Sequence, residues 1–325
     1  MLNSPKNFKT PKDVKTINLK KINLKKIEKN DKIIFDKFFK DANCQSSKYT
    51  FTNLFMWRNL YNVSWAVEND VLFIFTENDK TFSAWQPFGA PENMQDAISK
   101  ILTCAKELKG DKEFILNFLE KNFVDELKKF PDAKFEISFN PAYTDYVYAA
   151  EDLATLGGRK FHGKKNHLNQ FYKDYPIAEY SPVTAEIIPK CLELLDDWYD
   201  TQLNDPELVN LRENLAHEKN AIHEIFSDYN FFGIKGGTIL LGKNVAAFTF
   251  GEMLNSDTAV IHVEKAAADI RGAFTAINQN FVANEWQGAT FINREEDMGI
   301  DGLRRAKESY KPVKMIKKFS AKIAE

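Results

Sequence analysis

The 325-residue sequence lacks most of the short patterns that announce a chemistry. There is no GxSxG, no GxxxxGK(S/T) and no GxGxxG, so hydrolase, kinase and dehydrogenase readings are left without their usual anchors. The three cysteines, Cys44, Cys104 and Cys191, are far apart and form no CxxC pair, which reads as reduced thiols and excludes a disulfide framework or a cysteine zinc site. The histidines, His162, His167, His217, His223 and His262, show no HxxxH spacing, so no metal site is expected. No apolar run approaches the roughly 18 residues of a membrane span; the longest are strand-like stretches such as Val71 to Phe75. Lys and Asn interrupt the N-terminus every two or three residues, so no secretory signal and a cytoplasmic location are expected.

Apolar residues at 44% and charged residues at 28% are ordinary for a globular protein that folds in water. The formal net charge of −2 gives no global pull toward DNA or an anionic surface. That total hides an asymmetry. Residues 1–40 hold twelve Lys against Asp13, Glu28, Asp31 and Asp36, an excess of +8, and −2 less +8 leaves −10 on the rest of the chain. Ile17 to Ile22 is nearly repeated as Ile22 to Ile27, too short for a structural repeat. The Lys-rich segment reads as a solvated face, with an RNA- or lipid-binding arm as the functional alternative.

Along the chain, residues 1–15 read as a tail and a first strand starts near Thr16. Ile33, Ile34, Phe38 and Phe39 recur with helical spacing over 31–42, and a second helical patch covers 50–60. Strands at 64–67 and 71–76 flank Glu68-Asn69-Asp70 as a tight hairpin, and 81–88 adds a third strand. Helix 91–109 ends at Gly110, followed by strand 113–118, helix 119–130 before Pro131 and strand 134–139. A bridge, 141–176, carries a basic helix. Beyond it come strand 177–181, helices 184–202 and 207–227, strands 231–235, 237–241, 244–252 and 257–264, helix 271–286, strand 289–293, helix 301–309 and strand 312–319. The repeated grammar predicts two similar mixed α/β domains, 1–150 and 151–325.

Three constellations can carry chemistry. In Arg159 to Phe171, Lys160, Lys164 and His167 share one helical face while Phe161, Leu168 and Phe171 form a buried stripe. Arg159, Lys160, Lys164, Lys165 and Asn166 would there hold phosphates, or simply form a solvated basic face. In Val260 to Lys265, a strand ends in charge ahead of Arg271-Gly272, where helix N-terminal amides bind anions. Glu264 occupies the position of a general base, or merely pairs with Lys265. In Phe291 to Gly299, a strand end releases five consecutive polar residues, with Asn293 or Asp297 as caps on the plain reading. Arg304 and Lys307 would point the same way as Tyr310.

These segments resemble the family of phosphatidylglycerol lysyltransferase C-terminal domains, in its short stand-alone members. The family's RKxHxKKNHxNxF-like helix, EKA strand end, GA(Y/F)xxxNxxF and NREEDxGxxGLRxAK occur in order at 159–171, 264–266, 272–281 and 293–307, after SxYTFTNLFMWR at Ser47 to Arg58. The resemblance implies an α/β fold of two tandem GNAT-like (acyl-CoA N-acyltransferase) domains in a Fem-like arrangement. In that fold, strands four and five splay to admit an acyl donor. Strand four would be 257–264, the next helix 271–286 and strand five 289–293. The implied function is acyl or aminoacyl transfer from a tRNA ester or thioester to an amine or hydroxyl. Glu264 would be the base, Tyr310 would protonate the leaving group, and backbone N–H at a strand-four bulge would hold the oxyanion. Lys160, Lys164, Lys165, Arg294, Arg304 and Lys307 would hold the donor, with Asp297 orienting a cation and Lys265, Gly272 and Asn293 at its edge. Acyl-CoA as donor meets a departure, since (Q/R)xxGx(G/A) aligned on Gly272 puts Asp269 first and Phe274 last, and a carboxylate beside a pyrophosphate is unfavourable. The membrane-spanning half of the family's full synthases is not expected in this sequence, which counts against phosphatidylglycerol itself as the acceptor. A binding module for RNA or a phosphorylated ligand, and a conventional acetyltransferase, are the competing readings.

Overall fold

The structure, a computed structural model, describes residues 22–203 and 212–324. The strand expected near Thr16 falls largely outside them. In chain order the strands are β1 (Lys25–Lys26), β2 (Ser64–Glu68), β3 (Val71–Glu77), β4 (Thr81–Trp85), β5 (Glu113–Leu119), β6 (Phe135–Phe139), β7 (Asp145–Ala149), β8 (Ala178–Pro182), β9 (Lys235–Leu241), β10 (Asn244–Met253), β11 (Thr258–Ala266), β12 (Phe291–Asn293), β13 (Lys314–Ile316) and β14 (Phe319–Ile323). The helices are α1 (Lys32–Ala42), α2 (Phe51–Trp57), α3 (Met94–Leu108), α4 (Lys121–Leu127), α5 (Ala150–Thr155), α6 (His162–Asp174), α7 (Ile188–Leu203), α8 (Arg212–Ser227), α9 (Tyr229–Phe232), α10 (Ala273–Glu285) and α11 (Asp301–Glu308).

These strands form two seven-stranded sheets, ordered β1-β2-β3-β4-β5-β14-β6 and β8-β9-β10-β11-β12-β7-β13. Written this way the two orders are the same. Each has an antiparallel run, one parallel pair (β4 with β5, β11 with β12) and an antiparallel strand inserted beside the fifth. The chain is therefore two tandem GNAT-like domains, as the resemblance implied. The inserted strand is exchanged between them: β7 completes the second sheet and β14 the first, so each sheet takes a strand from the other side of residue 150.

The apolar pattern explains the layers. In β3, Leu72 and Ile74 face one core with α1, α2, α7 and α8, while Val71, Phe73 and Phe75 face another under α3 and α4. A strand buried on both faces reads as an unbroken apolar run. The shared core also takes Val245, Phe248, Phe250 and Val263 from the second sheet, whose other face packs on α5, α6 and α10. Helix α2 is buried from Phe51 to Met56, its N-terminus capped by Thr50 Oγ1 accepting from Asn53 N–H at 3.1 Å.

Three local expectations are corrected. Residues 229–232 form α9 in place of part of a strand at 231–235, because the aromatic pair Phe231-Phe232 packs edge to face and Phe232 stacks on Phe51 of α2. The strand expected over 312–319 is two strands in different sheets, broken at Lys317-Lys318. The bridge 141–176 contains the exchanged strand β7.

Candidate active site

The two parallel pairs differ at their C-terminal ends. In the first sheet every residue of β4 pairs with β5, and just beyond, Gln86 Oε1 accepts from Glu120 N–H at 2.8 Å. In the second sheet β12 pairs only with Thr258, Ala259 and Val260, and Ile261 to Ala266 run on without it. A gap opens there.

A bulge directs the side chains along that free stretch. Phe250 pairs with Val263 but Gly251 with Ile261, so His262 is an extra residue in β11. Ile261 accordingly faces α10 and Val263 the shared core, and the next two residues separate: Glu264 toward α10, Lys265 toward α7 and α8. Gly251 is required here, since a Cβ on it would lie 2.1 Å from the Val260 carbonyl oxygen.

Glu264 meets two partners across the gap. Arg294 Nη2 donates to its Oε1 at 2.9 Å and Asn278 Nδ2 to its Oε2 at 3.0 Å. The remaining atoms of those partners, Arg294 Nη1 and Asn278 Oδ1, are buried without a hydrogen-bond partner. The Glu264 and Arg294 side chains keep 12% and 14% of their exposure, while Asn278 is fully buried. The Arg294 guanidinium lies 4.8 Å from the Tyr310 ring centre and Lys164 Nζ 4.1 Å, two cations on one phenol ring. The Tyr310 hydroxyl is buried beside Thr275 Oγ1 at 3.5 Å, and burial raises its pKa. Burial lowers that of Lys164, helped by Arg294.

The five polar residues from Asn293, the last of β12, to Asp297 are each tied to a different set of partners. Asn293 Nδ2 donates to Asp145 at 3.1 Å while its Oδ1 accepts from Glu295 N–H at 2.8 Å. Arg294 enters the gap. Glu295 accepts from Asn53 at 3.1 Å and contacts His262 Nδ1 at 2.9 Å. Glu296 pairs with Lys48 at 2.8 Å and Lys318 at 2.5 Å, and Lys318 also pairs with Asp145 at 2.5 Å. Burial would raise the Glu296 pKa, but Lys318 and Lys48 outweigh it and hold the carboxyl far below its usual range. Asp297 takes Arg304 at 2.9 and 3.2 Å, the Tyr146 hydroxyl at 2.7 Å and Gly299 N–H at 2.7 Å. Asn293 and Asp297 each close an Asx-type turn by accepting from the amide two residues on, and α11 starts only after Ile300.

Of the residues singled out from sequence, Glu264, Arg294, Tyr310 and Lys164 converge on the gap. Glu264 does form an ion pair, with Arg294 in place of Lys265. Lys265 lies on the opposite face, 3.1 Å from Glu218 and 3.9 Å from the Trp198 ring centre. Arg304 and Lys307 do not share a face with Tyr310: Arg304 is held by Asp297, and Lys307, buried, donates to the Arg294 carbonyl. Lys307 thus stiffens the loop carrying Arg294. Arg159, Lys160, Lys165 and Asn166 are exposed on and before α6, Lys160 pairing with Asp152 at 2.7 Å. Gly272, at φ +91°, caps α10 with its Cα against Phe171 of α6, where a Cβ would come within 3.0 Å of the Phe171 Cβ.

Sequence reasoning missed Asn278, Thr275, Lys48, Asp145 and Lys318. The signal for Lys48 was present, because the Ser47 to Arg58 motif folds onto the 293–299 motif. Among the described residues no group of His, Cys, Asp and Glu could hold a metal ion, and no helix is long and apolar enough to cross a membrane.

A duplicated α/β fold with one opened parallel pair places the protein in the class of tandem GNAT-like folds. More narrowly, residues 39–322 match the model of the family described as "Phosphatidylglycerol lysyltransferase, C-terminal", and the chain belongs to that family. A conserved protein of unknown function from Bacteroides thetaiotaomicron is 32% identical, with a TM-score of 0.85 over 93% of this chain and 100% of that one. The C-terminal domain of a putative lysylphosphatidylglycerol synthetase from Agrobacterium fabrum is 13% identical, with a TM-score of 0.63 over 92% and 93%. L-PGS from Bacillus licheniformis is 13% identical, with a TM-score of 0.62 over 89% and 91%. These last two likenesses are of fold.

Proposed function

We propose that the protein is an aminoacyltransferase that moves an aminoacyl group from a tRNA ester to an amine or hydroxyl at the gap between β11 and β12. The observation that carries this reading is the pair of unpartnered atoms beside Glu264, one acceptor and one donor. A buried polar atom without a partner costs about 1–3 kcal/mol, so a ligand that satisfies both is favoured. An aminoacyl ester has the matching groups. Its α-ammonium donates to Asn278 Oδ1 and to a free lone pair of Glu264, and its carbonyl oxygen accepts from Arg294 Nη1. That last contact strengthens as the carbonyl becomes an oxyanion. An acetyl group has no ammonium to offer.

Family membership supports aminoacyl chemistry, since the family is described as phosphatidylglycerol lysyltransferase. Against coenzyme A stand the exposed Asp269 and the packing of α6 over Gly272, where a pyrophosphate would need room. Arg159, Lys160, Lys165 and Asn166 on the exposed side of α6 are proposed to contact the tRNA backbone. The test is incubation with bulk tRNA charged with labelled amino acids, together with vesicles of anionic lipid and a pool of small amines. Enzyme-dependent movement of label from the RNA to a new species is expected. No movement from any charged tRNA, with acetyl-CoA bound in a calorimeter, would overturn the reading.

A further inference from the structure

We propose that Lys164 is the group that takes the acceptor's proton and returns it to the leaving oxygen. This rests on the aminoacyl-transfer reading of the same gap. Each competing group there is already engaged. Glu264 has one oxygen on Arg294 and the other on Asn278. The Tyr310 hydroxyl is buried on Thr275. Arg294 does not give up its proton in a protein. Lys164 differs: among the described residues its amine has no hydrogen-bond or ion-pair partner and lies over the face of Tyr310, 4.1 Å from the ring centre.

The charged and titratable groups that face this amine are Arg294, Glu264 and Tyr310. On its own helix, Lys160 and His167 lie one turn away, on exposed positions. Half-burial and the Arg294 guanidinium both disfavour the ammonium, and Glu264 opposes them less strongly, so the amine is neutral at lower pH than a free lysine. The acceptor nitrogen or oxygen attacks the ester carbonyl carbon, forming the new C–N or C–O bond, and its proton passes to the neutral Lys164 Nζ. As the carbonyl re-forms, the bond to the ribose oxygen breaks and the Lys164 ammonium protonates that oxygen. Lys164 ends as it began, and no proton is gained or lost.

The test compares three proteins in transfer from bulk charged tRNA. Lys164→Arg keeps the charge but cannot accept the proton, so kcat should fall roughly 100- to 10,000-fold while retention of charged tRNA on filters is unchanged. Lys164→Ala should recover rate with added trimethylamine, a tertiary amine that takes protons but cannot be a stable acyl acceptor. The alkaline rise in wild-type rate should vanish in Lys164→Arg. Unchanged kcat and pH profile in Lys164→Arg, or a loss in Lys164→Ala that trimethylamine does not restore, would overturn the assignment and leave the transferase reading standing. Absence of transfer by the wild type would overturn both.

Discussion

Replacing His262 with Gln should change how stability depends on pH. The ring is 1% exposed, with Nε2 3.0 Å from Glu252 and Nδ1 2.9 Å from Glu295. Burial disfavours the imidazolium, but the two carboxylates outweigh it and raise the pKa from 6.5 to about 9. Such a shift corresponds to about 3 kcal/mol of folding free energy. Because the folded value lies above the unfolded one, this contribution is fully present below pH 6.5 and is lost as pH rises through about 9. Lys307 works with the opposite sign. Burial first, then Arg294, lower it from 10.5 to about 8, so its contribution becomes more favourable between those values. Lys307 is common to both proteins and is linked to the histidine only through Glu295, so the difference between wild type and His262→Gln removes most of its contribution. Urea unfolding followed by tryptophan fluorescence should show that difference shrinking by about 3 kcal/mol between roughly pH 6 and pH 10. A difference that stays constant across that range would refute the reasoning.

Three other changes test separate parts of the structure. Lys318→Met leaves Asp145 and Glu296 buried without their shared cation, and should cost about 3–5 kcal/mol in urea unfolding; a loss under about 1 kcal/mol would mean that Lys48 and Ser47 satisfy both carboxylates. Ending the chain after Lys318 keeps the cation shared by Asp145 and Glu296, removes β14 and exposes the facing edges of β5 and β6. Hydrogen exchange should then quicken over 113–139 well before it does in β9 to β11, and uniform change would show that the exchanged strand is dispensable. Gly251→Ala forces a Cβ against the Val260 carbonyl, so it should destabilise by about 1–3 kcal/mol through overpacking and should also slow transfer by displacing the His262 bulge, read as melting temperature and rate together.

Local pattern was legible in the sequence wherever the cause was local. The β2–β3 hairpin was visible because Asn69 and Asp70 accept the positive φ its turn requires, 49° and 57°. Helix α3 was visible because Gly110, at φ +55°, follows its end. The strand exchange was not, because nothing within 145–149 or 319–323 says which sheet each strand joins. That choice is made by partners such as Lys318 and Asp145, far apart in sequence. The site was half legible for the same reason. Glu264 and Arg294 stood out as charges at strand ends, but Asn278 read as one polar residue inside a helix, and Lys265 read as Glu264's partner although strand alternation puts the two on opposite faces, the bulge deciding which face each takes. The run Asn293 to Asp297 looked like one polar surface, and its members turned out to be divided among partners from both domains.

The most direct measurement is the rate at which label leaves charged tRNA with wild type, Arg294→Ala and Gln86→Ala, each shown by circular dichroism to be folded. Gln86 bridges the closed parallel pair of the first sheet, the counterpart of the opened one. Loss of an oxyanion donor lowers rates by about 100- to 1,000-fold, so Arg294→Ala should lose at least that much while Gln86→Ala keeps the wild-type rate. Full activity in Arg294→Ala, or equal loss in both variants, would contradict a single transferase site at the gap between β11 and β12.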